Sequence, residues 1–242
     1  MGQTSLQIPE SAMLLGLTHG IQDDFDHYVS ADTWTTVVSD SGTVVVNDAA
    51  GGIVTLTPSD GSVGDNDEAY LKSTKEIFKF ASGKPGEFEA LIKFVEANTD
   101  DANVMVGVMD AVGADSLVDN GAGPKSSYSG AVFFKADGDT VWNAESSNGA
   151  TQKTTNLTAD VSLTKAAVTA GGSAYQRLRI RWIPTADGLM TFEFFVDGKL
   201  VAIHESRSYS SATEMQAFAA VKNGDTNLET LLVDYIRCHQ VR

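Results

Sequence analysis

Along most of this chain apolar and polar positions alternate with a period of two, the spacing that lets a strand bury one face and leave the other to solvent. Phe88, Ala90, Ile92 and Phe94 alternate with Glu87, Glu89, Leu91 and Lys93. Leu178, Ile180 and Trp182 alternate with Arg177, Arg179 and Arg181, and Phe192, Phe194 and Val196 with Thr191, Glu193 and Phe195. Further β-rich runs are Trp34 to Val38, Thr43 to Val46, Ile53 to Leu56, Val104 to Met109, Ala131 to Lys135, Leu200 to His204 and Leu231 to Ile236. Turn pairs punctuate them: Asp40-Ser-Gly42, Asp60-Gly61, Asp137-Gly138, Asp187-Gly188, Asp197-Gly198 and Asn223-Gly224 offer the positive-φ positions that tight turns need.

So many antiparallel strands with almost no helix predict two sheets packed face to face, because a single sheet would leave half of these apolar faces wet. The expected fold is all-β, an antiparallel two-sheet sandwich of jelly-roll type. Two segments stand apart from it. Residues 1–22 begin polar, carry a candidate helical turn from Pro9 to Leu15, and read as an N-terminal arm, with the sandwich domain over 23–242. Residues 110–129 hold Gly113, Gly121, Gly123 and Pro124 with few large side chains, and read as a long surface loop, functional or merely solvated.

Composition narrows the partners. The chain has 242 residues with 32 acidic against 17 basic side chains, a formal charge of -15, so its field repels nucleic acid and anionic membrane surfaces. The stretch Ala12 to Leu17 is too short to span a bilayer, and Met1-Gly-Gln-Thr-Ser lacks a basic leader, so export is not expected. The one cysteine, Cys238, leaves no internal disulfide.

Candidate chemistry is sparse. Glu87 and Glu89 stand two apart on a strand, roughly 7 Å from each other on one face, a spacing a glycosidase pair could use. Alternate acids on a solvated strand of an acidic protein are the commoner explanation. The loops at 65–68 (Asp-Asn-Asp-Glu) and 100–103 (Asp-Asp-Ala-Asn) offer hard oxygen ligands for calcium, yet acidic turns are usually just solvated. His19, His27, His204 and His239 lack ligand spacing, and Cys238-His239 point to opposite faces of a strand, which rules out a dyad. No catalytic residue, metal or cofactor is therefore assigned. Arg177, Arg179 and Arg181 reverse the overall charge locally; they either meet an acidic partner surface or pair across strands with acids such as Glu193 or Glu205.

Asp23-Asp-Phe-Asp26 with Trp34, Leu178 to Trp182, Phe192 to Val201 with its Val-Asp-Gly-Lys hairpin, and the closing Leu232-Val-Asp-Tyr-Ile236 resemble the concanavalin A-like, laminin-G-like jelly roll. Over 23–242 the chain also resembles jelly-roll virion proteins of tailed bacteriophages of the decoration or cement type. That resemblance implies a structural, non-enzymatic protein on the exterior of the capsid, bridging subunits of the major capsid protein, as a homo-oligomer such as a trimer. Met13, Leu14, Leu15 and Leu17 of the arm are then the expected capsid contacts. The alternative on the same sandwich is a carbohydrate-binding module or glycan-directed depolymerase. The Glu-x-Asp-x-x-Glu strand of the sandwich glucanases has no counterpart here, since Glu87-Phe-Glu89-Ala departs after its first acid. A sugar platform would need exposed aromatics, and Tyr128, Tyr175 and Tyr209 are the candidates, the three tryptophans lying on core patterns.

Overall fold

The structure, a computed structural model, describes residues 17–26, 31–47, 50–96, 100–159, 166–171, 174–186 and 188–242. Among these residues there are strands and no helix. The first sheet runs in the order β15 (Lys199–Ser208), β14 (Leu189–Val196), β13 (Gln176–Ala186), β6 (Gly86–Val95), β17 (Thr230–Val241), β4 (Ile53–Ser59) and β3 (Ser41–Asn47). Beside the C-terminal half of β17 lies β1 (Thr18–Asp23). The second sheet runs β12 (Gln152–Asn156), β11 (Asn143–Asn148), β10 (Ser129–Lys135), β7 (Asn103–Met109), β16 (Gln216–Lys222), β5 (Glu68–Ser73) and β2 (Trp34–Val38). A short ribbon pairs β8 (Leu117–Val118) with β9 (Gly123–Pro124). Every described pairing is antiparallel, and the molecule is the expected two-sheet sandwich.

The period of two decides which side chains meet between the sheets. Phe88, Ala90, Ile92 and Phe94 of β6, Leu178, Ile180 and Trp182 of β13, and Phe192, Phe194 and Val196 of β14 are buried in one core with Val104, Val106 and Val108 of β7, Ala131 and Phe133 of β10, and Ala217, Ala219 and Val221 of β16. Aromatic edges meet faces across it, Phe133 to Phe194 at 5.4 Å and Phe94 to Trp142 at 5.8 Å between centroids, an arrangement favoured by the ring quadrupoles. Gly86 lies opposite Trp182 in the β6–β13 register, and a side chain there would run into the indole ring.

In β17 the alternation is broken once. Val233 and Ile236 are both buried, although two residues separate them, because the register with β6 shifts between Val233 and Tyr235. This β-bulge at Asp234 turns the second half of the strand so that Ile236 and Cys238 re-enter the core.

Residues 18–22, expected as part of the arm, belong to the sandwich: Thr18 to Asp23 pair with Val241 to Ile236. The segment has a single large aliphatic residue, Ile21, which is why its strand character is faint in sequence. Met13, Leu14 and Leu15 lie outside the described residues.

Candidate functional site

Among the described residues, the second sheet differs from the first in being covered on both sides. On its outer face, away from the core, Tyr70 of β5, Met105 and Met109 of β7, Val132 and Phe134 of β10 and Phe218 and Ala220 of β16 form a second apolar cluster. Val112 and Leu117, from the segment between β7 and β10, complete it. Residues 110–128 therefore fold back over the sheet as a flap, rather than extending into solvent as a loop. Gly123 shows how closely it sits: its φ is +77°, and a Cβ there would lie 2.9 Å from the Phe134 ring.

Polar groups latch the flap. Lys222, at the end of β16 and 1% exposed, places Nζ 3.2 Å from Glu68, 3.3 Å from Asp115 and 2.5 Å from Asp119, and donates to the Leu117 carbonyl at 2.9 Å. Burial opposes the ammonium charge, but the hydrogen bond to Asp119 and the Glu68 charge outweigh it and raise the Lys222 pKa. Glu68 also accepts the Asp115 amide at 3.1 Å and the Tyr70 hydroxyl at 2.7 Å, while that hydroxyl accepts the Leu117 amide at 3.0 Å. Sequence reasoning missed this cluster, because its members lie far apart in the chain.

At the other end of the same face, β11 and β12 present matched polar pairs: Asn143 opposite Asn156, Glu145 opposite Thr154, and Ser147 opposite Gln152. Glu145 is buried, accepting the Tyr128 hydroxyl at 2.8 Å on one oxygen and the Thr154 hydroxyl on the other. Burial and the neighbouring carboxylate push the Tyr128 pKa well up, so it stays a donor. On the inner side of this edge His204 of β15 bridges the two sheets. One of its ring nitrogens lies 2.8 Å from the Ser146 hydroxyl and the other 3.0 Å from that of Thr155.

A groove of about 600 Å³ remains open beside the flap root, lined by Lys72, Thr74, Lys75, Glu76, Ile77, Ala111, Glu214 and Gln216. Lys72 and Gln216 stand on the outer face of β5 and β16, next to the apolar cluster. Gln216 is held by its amide donating to the Ser73 carbonyl at 2.6 Å.

The residues singled out from sequence scatter around this site. Leu17 is 57% exposed at the start of the described chain. Arg177, Arg179 and Arg181 stand on the outer face of the first sheet: Arg181 pairs with Glu193, Arg179 lies 3.8 Å from Glu87, and Arg179 covers the Phe195 ring at 4.1 Å. Glu87 and Glu89 belong to the same network through Arg237, at 3.4 and 3.3 Å, and Glu89 accepts the Tyr235 hydroxyl. Burial raises the Glu87 pKa against the pull of Arg179 and Arg237. Asp67 accepts the Gly64 amide at 2.7 Å and so caps its own turn, while Asn103 accepts the Asp137 amide at 2.8 Å and ties its loop to the one after β10. Among the described residues no three His, Cys, Asp or Glu side chains converge as metal ligands. Tyr128 is buried and Tyr175 and Tyr209 are half-buried, so none of the three forms an exposed stacking platform.

No protein-family model matches the sequence, and no curated protein matches it. Solved structures do. An endo-1,3-β-glucanase from Streptomyces sioyaensis superposes with a TM-score of 0.60 at 14% identity, over 93% of this chain and 97% of the enzyme. The fold is a concanavalin A-like jelly roll. The potassium-bound carbohydrate recognition domain of Emp46p (TM-score 0.56, 10% identity, 89% and 94% covered) and a prokaryotic β-1,3-1,4-glucanase, or lichenase, derived from a mouse hindgut metagenome (0.56, 12%, 90% and 98%) share it. Two of these neighbours are enzymes that match this chain along nearly its whole length. This corrects the expectation of a non-enzymatic protein: the sandwich carries glucanases, and the fold gives no ground for excluding catalysis.

Proposed function

We propose that this chain is a carbohydrate-directed domain whose sugar site is the open end of the flap-covered face. The observation that carries the reading is the groove at the flap root. Its volume of about 600 Å³ suits a short oligosaccharide segment, and six of its eight lining residues, Lys72, Thr74, Lys75, Glu76, Glu214 and Gln216, offer donors and acceptors for sugar hydroxyls beside the apolar Ile77 and Ala111. The fold neighbours favour this reading over capsid decoration, since they are a carbohydrate recognition domain and glucanases.

With no exposed aromatic platform among the candidate tyrosines, binding rests on hydrogen bonds to a surface that water also satisfies. Affinity for a short oligosaccharide is therefore expected to be weak, with a dissociation constant on the order of 1 mM. Calorimetric titration with neutral and acidic oligosaccharides, combined with size analysis of the matching polysaccharides after incubation, tests both binding and cleavage. A panel that is neither bound nor shortened would remove the proposal.

Capsid decoration keeps one specific observation, the exposed Leu17 where the described chain begins. On that reading, deleting residues 1–16, which spares β1, leaves the sandwich folded but abolishes binding to empty heads; unchanged occupancy would end it.

A further inference from the structure

We infer that the groove at the flap root recognises an acidic saccharide, with Lys72 and Lys125 binding a uronate carboxylate. The inference rests on the carbohydrate-directed reading above and specifies the class of sugar. In a chain of charge -15, Lys72 lines this groove, and Lys125, outside the lining, adjoins it through the lining residue Ala111. Lys72 Nζ donates to the Val112 carbonyl at 2.6 Å, and Lys125 Nζ to the adjacent Ala111 carbonyl at 2.8 Å. The described ion pairs engage Lys135, Lys222, Arg179, Arg181 and Arg237, and neither of these two lysines. Asp110 favours the Lys125 charge, but its Oδ1 already accepts the Ser129 amide at 2.8 Å. Desolvation and the Lys72 charge together lower the Lys125 pKa, in spite of Asp110. Like charges drawn together on neutral carbonyls beside an open groove leave favourable energy for an arriving anion.

The rest of the lining says which anion. Glu76 and Glu214 are exposed in the same groove, and a phosphate dianion or a multiply sulfated sugar would meet their repulsion, and that of the whole protein, more strongly than a single carboxylate. A sugar carrying one carboxylate among several hydroxyls fits both sets: the carboxylate accepts from Lys72 and Lys125, while Glu76, Glu214 and Thr74 accept from hydroxyl groups.

The test titrates the intact protein with an oligouronate, a neutral oligosaccharide of equal length and a sulfated one, at low and at high salt. The oligouronate should bind about 10-fold more tightly than either of the others, and its affinity should fall with salt. Lys125→Gln should lose about 10-fold of that affinity with the neutral titration unchanged, and Lys72→Arg should retain most of it. Because Lys72 also holds the flap, Lys125→Gln is the decisive variant, its melting curve serving as the fold control. Equal binding of acidic and neutral sugars would overturn the acidic assignment while leaving the carbohydrate function in place. Uronate binding that Lys125→Gln does not weaken would overturn the site, and binding of no saccharide would overturn both.

Discussion

Replacing Lys222 with methionine is expected to free residues 111–124 from the second sheet and to lower stability by about 3 kcal/mol. The four partners of its ammonium do not contribute equally. Asp115 and Asp119 have side chains 75% and 52% exposed, so water can replace the lysine there and screening limits their share. Glu68, only 5% exposed, cannot turn to water, and without Lys222 it keeps a buried charge with no counter-ion. Its remaining bonds, from the Tyr70 hydroxyl and the Asp115 amide, hold it in place under the flap. Breaking one partner of a buried pair typically costs about 3–5 kcal/mol, and the screened contribution of the two exposed acids puts this site at the lower end. Hydrogen exchange at 111–124 should accelerate in Lys222→Met, and adding Glu68→Gln should recover part of the lost stability by removing the stranded charge. Unaltered exchange in the flap would show that Val112 and Leu117 alone hold it.

How much of this was legible in the sequence follows from what each strand faces. β6, β13 and β14 show clean alternation because their outer faces carry Glu87, Arg179, Arg181 and Glu193, which stay partly solvated. β16, Gln-Ala-Phe-Ala-Ala-Val-Lys, is buried along its whole length on both faces, so no polar face exists to mark a period. Its alanines would suit a helix as well as a strand. β11 and β12 escape notice for the opposite reason: Asn-Ala-Glu-Ser-Ser-Asn and Gln-Lys-Thr-Thr-Asn are polar, and pair beside an apolar neighbour, β10. The length and glycine content of 110–129 are readable locally. Its return onto the sheet is not, because it is fixed by Glu68, Tyr70 and Lys72, 40 to 47 positions earlier, and by Lys222 more than 100 positions later. The same holds for the groove. Lys72 and Lys125 carry no shared motif, and only the fold sets their ammonium groups on consecutive carbonyls.

His204 is expected to make the protein lose stability as pH falls from about 6.5 toward 3, and His204→Gln to remove most of that dependence. The imidazole is fully buried where the edges of the two sheets meet, packed on Phe194 with centroids 4.9 Å apart. Its nitrogens lie between the hydroxyls of Ser146 on β11 and Thr155 on β12. A neutral ring satisfies both, one nitrogen donating and the other accepting, whereas an imidazolium would need two acceptors and a counter-charge. Desolvation first, then Lys153 and Arg207, lower its pKa from 6.5 to about 3. The sign follows directly. Below pH 6.5 the unfolded chain takes up a proton that the folded chain refuses, so each further pH unit removes up to about 1.4 kcal/mol until the folded pKa is reached. The carboxylates of this acidic chain also titrate in that range, so the decisive quantity is the difference between wild type and His204→Gln. Urea midpoints at pH 7 and pH 4.5 give it: the wild type should lose more than the variant, by roughly 2 kcal/mol. Equal losses would mean that the imidazole is protonated in the fold, and that the contact between β15 and the β11–β12 edge accommodates a charge.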